Sequence, residues 1–262
     1  MQTHKTVSRD EWLEARRALL AKEKAHLRAH DDLARQRREL PWVKVDKSYV
    51  FDGPDGRETL ADLFAGRSQL IIKHFMFGPD WQEGCVGCSF GSDQMEGSLV
   101  HLVNHDVMVV AVSRAPYPKI AAFHKRMGWP FKWVSSAGCD FNFDYNVSFT
   151  EEQKAKGKVF YNFEERDWVS DELPGFSVFT RDETGQIFHT YSVFARGTED
   201  VGTVYGFLDI TPKGRNETGP NHNLTDWVRH HDRYGAGGYV DATGRYRAPT
   251  PAAACCSGEA SA

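Results

Sequence analysis

Apolar positions along the chain follow two rhythms. Over residues 9–39 they recur at helical spacing: Leu13, Leu20, Leu27 and Ala34 every seventh residue, and beside them Trp12, Leu19, His26, Leu33 and Leu40. Charged residues flank this stripe, the pattern of an amphipathic helix. Ser8, with Glu11 three residues on, is a capping-box start, and Pro41 is the stop. Such an arm either packs on its own domain or meets the arm of a second copy, giving a homodimer.

From residue 42 the rhythm changes. Val43 and Val45 alternate with lysines and predict a short strand, Asp52–Gly56 a turn, and "TLADLF" a short helical turn. "QLIIKHFMF" and "VMVVAVS" are continuous apolar runs, the type found in strands covered on both faces. "SFGSDQMEGSLVHLVNHD" between them has helical spacing. "YPKIAAFHKRMGW" reads as a helix closed by Gly128, and "FKWVSS" as a third strand. "FSVFTRDETGQIFHTYSVF" reads as a hairpin around Asp182–Gly185, and "EDVGTVYGFLDITP" as a last helix. Strand–helix–strand–helix–strand followed by a hairpin predicts an α/β fold with a mixed sheet. The expected organisation is a helical arm over 1–41, one domain over 42–235 and a flexible tail over 236–262. The tail's end, "PTPAAACCSGEASA", has no periodicity.

Composition narrows the function classes. The chain has 262 residues, 40% of them hydrophobic, and a net charge of -4. That suffices for one sizeable core and gives no basic footprint for nucleic acid. No run approaches the roughly 20 apolar residues of a membrane span. The first residues hold no apolar stretch of signal-peptide type, so the expectation is a cytoplasmic protein. Five cysteines, Cys85, Cys88, Cys139, Cys255 and Cys256, are too few and too odd in number for a secreted disulfide scaffold.

Cys85 and Cys88 form a C-x-x-C in "DWQEGCVGCSFGSD", just after an apolar strand. A cysteine at a helix start meets unpaired N–H groups and the positive end of the helix dipole, which favour thiolate. Cys85 is then the exposed attacker and Cys88 the buried resolver. The alternative is a copper or zinc site. Zinc needs four ligands, so the pair would recruit His74, His101, His105 or Cys255-Cys256. His101 and His105 read more readily as a partly buried or solvated polar pair on one helix face than as ligands. No glycine-rich nucleotide loop is present, so no organic cofactor is implied.

"TLADLFAGRSQLIIKHFMFGPDWQEGCVGC", "VMVVAVSRAP" and "LPGFSVFTRDETGQI" resemble thioredoxin-fold proteins of the peroxiredoxin and thiol-reductase type. "GCVGCSF", "FHTYSVFARG", "LDITPKGRNE" and "DWVRHHDRYG" resemble a bacterial thioredoxin-like family catalogued as domain of unknown function 899, over about residues 7–235. The resemblance implies a thioredoxin-like sheet, Trp81 in the loop before Cys85, and Pro174 as a cis-proline beside the cysteine pair, both at the substrate. It implies a thiol or disulfide substrate and an external dithiol reductant. The peroxidase pattern P-x-x-x-[TS]-x-x-C is not matched: Gln82 stands three before Cys85, and Pro79 six before it. An insertion precedes Pro174, dense in aromatics: Phe141, Phe143, Tyr145, Phe149, Phe160, Tyr161, Phe163 and Trp168. They either line an apolar pocket over the pair or form the insertion's own small core.

Other residues carry weaker expectations. Cys139 reads as a small buried residue rather than an extra thiol of the site. Cys255-Cys256 is either an electron relay or an incidental pair. His189 and Tyr191, two apart on one strand, are expected on one face. His230-His231 is expected to cap a helix end. A scaffold that binds without turnover is the third reading, beside redox enzyme and metal protein.

Overall fold

A computed structural model describes residues 4–249. The chain divides into two units, one ending at Trp42 and the other starting at Val43. The first is α1 (Arg9–Arg38). Both capping-box bonds form: the Ser8 N–H donates to Glu11 Oε2 (2.9 Å), and the Glu11 N–H donates to Ser8 Oγ (3.3 Å). Asp10 and Glu11 occupy the first turn and Arg35, Arg37 and Arg38 the last, each sign opposing the local end of the helix dipole. No residue of α1 is buried.

The second unit runs β1 (Val43–Lys44), β2 (Val50–Gly53), β3 (Gly56–Thr59), β4 (Gln69–His74), α2 (Val86–Asp93), α3 (Glu96–Asn104), β5 (Val107–Ser113), α4 (Tyr117–Met127) and β6 (Lys132–Ser135). It continues with α5 (Phe141–Asp144), α6 (Glu151–Ala155), β7 (Lys158–Tyr161), β8 (Glu164–Asp167), β9 (Gly175–Arg181), β10 (Ile187–Phe194), α7 (Thr203–Asp209), β11 (Tyr239–Val240) and β12 (Tyr246–Arg247). Eight strands form one sheet in the order β1-β10-β9-β4-β5-β6-β2-β3. β4, β5 and β6 are parallel, joined through the helices that follow β4 and β5; β9 runs antiparallel beside β4, and β10 antiparallel beside β9. This is the expected α/β architecture: a mixed sheet flanked by helices, with the cysteine pair after its strand β4. The segment read as one helical stretch after the cysteines is two helices, α2 and α3.

Strand pleating assigns the two faces. Leu70 and Ile72 of β4, Val110 and Val112 of β5 and Phe179 of β9 pack into one core with Phe51, Leu63, Phe64 and Phe141. The other face carries Phe75, Phe77, Trp81, Ile120, Phe123, Trp129 and Trp133, with Cys85 and Cys88 among them. Alternation thus sends Ile71 and Lys73 to the cysteine side of β4.

One open alternative is decided and two expectations change. The insertion before Pro174 builds its own core from Val147, Phe149, Val159 and Tyr161 against Phe194, while Phe141 and Tyr145 join the main core. Among the described residues, none of its eight aromatics lines the cleft beside the cysteines. A register shift lies between His189 and Tyr191. The shift puts His189 against Phe179 and Tyr145 (ring centroids 5.5 and 5.3 Å) and Tyr191 in the cleft on the opposite face. An extra residue in a strand inverts the alternation that placed them together. Finally, residues 239–247, assigned to a flexible tail, form the β11–β12 hairpin. Its Val240 is buried with Val86 and Val228, a long-range burial that composition does not reveal.

Candidate active site at the Cys85–Cys88 pair

Cys85 is the N-cap of α2, and its own sulfur serves as the capping acceptor. The Cys88 N–H reaches Cys85 Sγ at 3.5 Å. The Cys88 thiol also hydrogen-bonds to that sulfur, and with the Gly87 and Cys88 N–H groups it holds the Cys85 pKa below the ordinary thiol value against the opposing effect of burial. The same contact, together with burial, pushes Cys88 well above it. The Met76 N–H donates to Cys88 Sγ (3.4 Å). Both cysteines are free thiols. The expected division, Cys85 thiolate and Cys88 thiol, is the one these hydrogen bonds favour.

The expected exposure of Cys85 is not met: it is 5% exposed and Cys88 is 7%. What covers Cys85 is the C-terminal hairpin. The Gly244 carbonyl accepts the Val86 N–H at 2.9 Å. A Cβ built on Gly244 would lie 2.8 Å from Cys85 Sγ, and its φ of +84° also suits only glycine. Upstream, His230 is the N-cap of the short 3-10 turn His231–Arg233, as expected, but its buried ring makes no capping bond there; its Nε2–H donates to the Gly84 carbonyl (2.9 Å). His231 Nδ1 meets Asp93 at 2.7 Å. Glu83 binds Arg126 (2.9 Å) and Arg233. The loop before Cys85 is thereby tied to the C-terminal segment.

Trp81 is buried in the cysteine-side core, and the Arg245 guanidinium of the hairpin lies 4.3 Å over its ring. It does not line the cleft. Pro174 does line it, immediately before β9. No peptide bond among the described residues is cis, so the cis form implied for Pro174 is not present. The backbone at Pro174 is engaged otherwise: its carbonyl accepts the Tyr161 hydroxyl at 2.6 Å.

The cleft, about 680 Å³, is walled by β4, β5, β9, β10, α2 and α3, with Cys85, Cys88 and Lys73 in its lining. Lys73 is the residue the sequence reading missed. It sits in the central strand, 4% exposed, with Met95 Sδ at 3.6 Å and the Phe176 ring at 5.7 Å from its Nζ. Burial pushes its pKa down to about 8, opposed by the charges of Cys88, Cys85 and Asp93. A lone lysine inside "QLIIKHFMF" was the available signal.

Glu172, two residues before Pro174, was also missed. It is 1% exposed, accepts the Ser148 hydroxyl at 2.6 Å and meets Arg114 at 3.1 Å. Burial nevertheless raises its pKa from 4.5 to about 7. A raised carboxyl pKa stabilises the fold fully below pH 4.5 and loses that contribution as pH rises through 7. Thermal melts from pH 4.5 to 8 are expected to show wild type losing on the order of 3 kcal/mol that Glu172→Gln does not lose. Equal slopes in the two proteins would refute this.

Cys139 is half-buried beside the core of Leu70, Ile72 and Phe141, and burial raises its pKa. Cys255-Cys256 lies outside the described residues. Among the described residues, no three His, Cys, Asp or Glu converge on a metal-sized site. His74 is buried with Nε2 2.8 Å from Ser177 Oγ, and His101 and His105 are exposed around the end of α3. Among the described residues no helix is long and apolar enough to cross a membrane.

Similar solved structures include the bacterioferritin comigratory protein of Xanthomonas campestris, at 14% identity over 59% of this chain and 86% of that one, TM-score 0.41. A cysteine-to-serine mutant of PrxQ from Xylella fastidiosa matches at 15% identity over 64% and 94%, TM-score 0.42. Peroxidoxin BcpB of Mycobacterium tuberculosis matches at 11% over 63% and 92%, TM-score 0.38. Likeness this distant says nothing of reaction or substrate. No curated protein matches the chain. The family model described as "Bacterial protein of unknown function (DUF899)" matches residues 1–234, and by that match, which covers most of its length, the chain belongs to the DUF899 family.

Proposed function

We propose that the protein is a thiol–disulfide oxidoreductase with Cys85 as nucleophile and Cys88 as resolving thiol. The observation that supports it best is the hydrogen-bonded pair at the start of α2, where the Cys85 sulfur accepts from Cys88 and the first N–H groups of the helix. A thiolate so held is a nucleophile at neutral pH. It attacks one sulfur of a substrate disulfide, forms a mixed disulfide and expels the first substrate thiolate, which takes up a proton. Cys88 then gives up its proton and attacks Cys85 Sγ. The Cys85–Cys88 disulfide forms and the second substrate thiol leaves. The substrate gains two electrons and the pair loses two. An external dithiol restores the pair by the same exchange in reverse. In this reading Pro174, which lines the cleft, faces the substrate, and Trp81 supports the pair from the core.

The test is a thiol count on protein purified without reductant, denatured, before and after dithiothreitol, with metal analysis of the same sample. A gain of two thiols that disappears in Cys85→Ser is the expected result. Stoichiometric copper or zinc with no disulfide, lost on changing either cysteine, would overturn it and make the pair a metal site.

A further inference from the structure

The outer side of Cys85 is closed. Gly244 stands on its sulfur and takes the Val86 N–H. Arg245 covers Trp81, and the Glu83, Arg126 and Arg233 ion pairs and the His230–Gly84 bond fasten this cover to the loop before the pair. A folded protein that presents a disulfide needs an exposed attacking sulfur with free backbone beside it. The cleft, in contrast, has both cysteines in its wall. Its volume of about 680 Å³ falls inside the roughly 300–1,000 Å³ of small-molecule sites. Ile71, Leu102, Val109, Phe176, Val178 and Val193 line it. Arg196 and Glu199, also in its lining, pair with each other, and Glu217 accepts the Tyr205 hydroxyl. The buried charge next to the sulfurs is Lys73, set against the thiols themselves. An incoming carboxylate or ammonium would thus lose its water to an apolar wall.

We propose that the substrate of the pair is a small disulfide with an apolar body, admitted through this cleft, and not a protein disulfide or a charged one such as oxidised glutathione. This rests on the redox reading above.

Two probes with one leaving group separate body from reactivity: butyl 2-pyridyl disulfide and 3-(2-pyridyldithio)propionate, each followed by release of pyridine-2-thione with dithiothreitol as reductant. After division by the rate without protein, the butyl probe is expected to win in kcat/KM on the order of 100-fold. Leu102→Glu and Val178→Glu, changed separately, should cut that preference at least about tenfold. Insulin should be reduced no faster than by dithiothreitol alone. In Gly244→Ala, whose new methyl displaces the hairpin from Cys85, insulin reduction should rise above that baseline. Equal use of the propionate probe, insulin reduction by wild type, or an unchanged preference in both cleft variants would overturn the proposal. So would oxidation of the pair by cumene hydroperoxide faster than by the butyl probe. The dithiothreitol thiol count is taken on every sample; a missing two-thiol gain in wild type would mean that the redox reading has failed, not the assignment of the cleft.

Discussion

Cys85→Ser is expected to abolish disulfide reduction, a loss on the order of 10⁴-fold or more, while Cys88→Ser stops the reaction halfway. The two variants differ because the two sulfurs stand in different fields. The Cys85 sulfur accepts the Cys88 N–H and thiol at the N-terminus of α2, and these lower its pKa. The Cys88 thiol donates into that contact and is buried, and its pKa rises. A serine hydroxyl at position 85 stays protonated at neutral pH and does not attack sulfur. A serine at position 88 leaves the first attack possible, since the Gly87 and residue-88 N–H groups still face Cys85, but removes the second. With the butyl 2-pyridyl probe, Cys88→Ser should release one thione per protein and stop. Intact-mass measurement should then find a butylthio adduct, removed by dithiothreitol and placed on Cys85 by peptide mapping. Multiple turnovers by Cys88→Ser would contradict the resolving role. An adduct on Cys139 would contradict the nucleophile.

Replacing Lys73 by Met should stabilise the protein at pH 7 and blunt its chemistry. The ammonium is buried in the central strand, and its hydrogen-bond contact among the described residues is a thioether, Met95 Sδ at 3.6 Å. Its pKa falls from 10.5 to about 8 in the fold. A depressed lysine pKa stabilises the fold above pH 10.5, and that contribution is lost as pH falls through 8. At pH 7 the buried charge therefore costs on the order of 3 kcal/mol. Methionine fills the same space without the charge. Lys73→Met should melt roughly 5–10 °C higher at pH 7, and the gain should shrink as pH rises past 8. In exchange the pair loses a buried cation whose charge favours the Cys85 thiolate. The pH midpoint for alkylation of Cys85 by iodoacetamide should move upward, since Lys73 is one of the groups that lower the Cys85 pKa. Lys73→Arg, which restores the charge, should return the midpoint toward wild type. A melting temperature insensitive to the change at every pH, or an unmoved alkylation profile, would show that Lys73 does neither. Retaining a destabilising charge beside reactive sulfurs is the kind of exchange of stability for activity that active sites make.

These residues show how far the primary structure could be read. α1 was legible to within a residue, because Ser8 and Glu11 satisfy N–H groups only three residues away and the stripe repeats locally. β4 and β5 were legible because their apolar runs stay buried whichever neighbour covers them. The position of Cys85 at a helix start followed from the strand just before it. Lys73 was visible in its strand but unread, since a single polar residue in an apolar run does not say which face it takes or what stands opposite.

The sequence by itself determined α1, β4, β5, the α/β class and the cysteine pair at the head of α2, because those depend on backbone hydrogen bonds and periodicity within a few residues. Only the tertiary structure decided that Cys85 is covered, that Lys73 shares its cleft and that His189 and Tyr191 part company at a register shift. Each of these depends on contact between distant parts of the chain. Gly244 reaches Cys85 because Glu83, Arg126, Arg233 and His230 hold the last segment down. Such burial comes from the packing of whole elements, and no local pattern encodes which element will arrive.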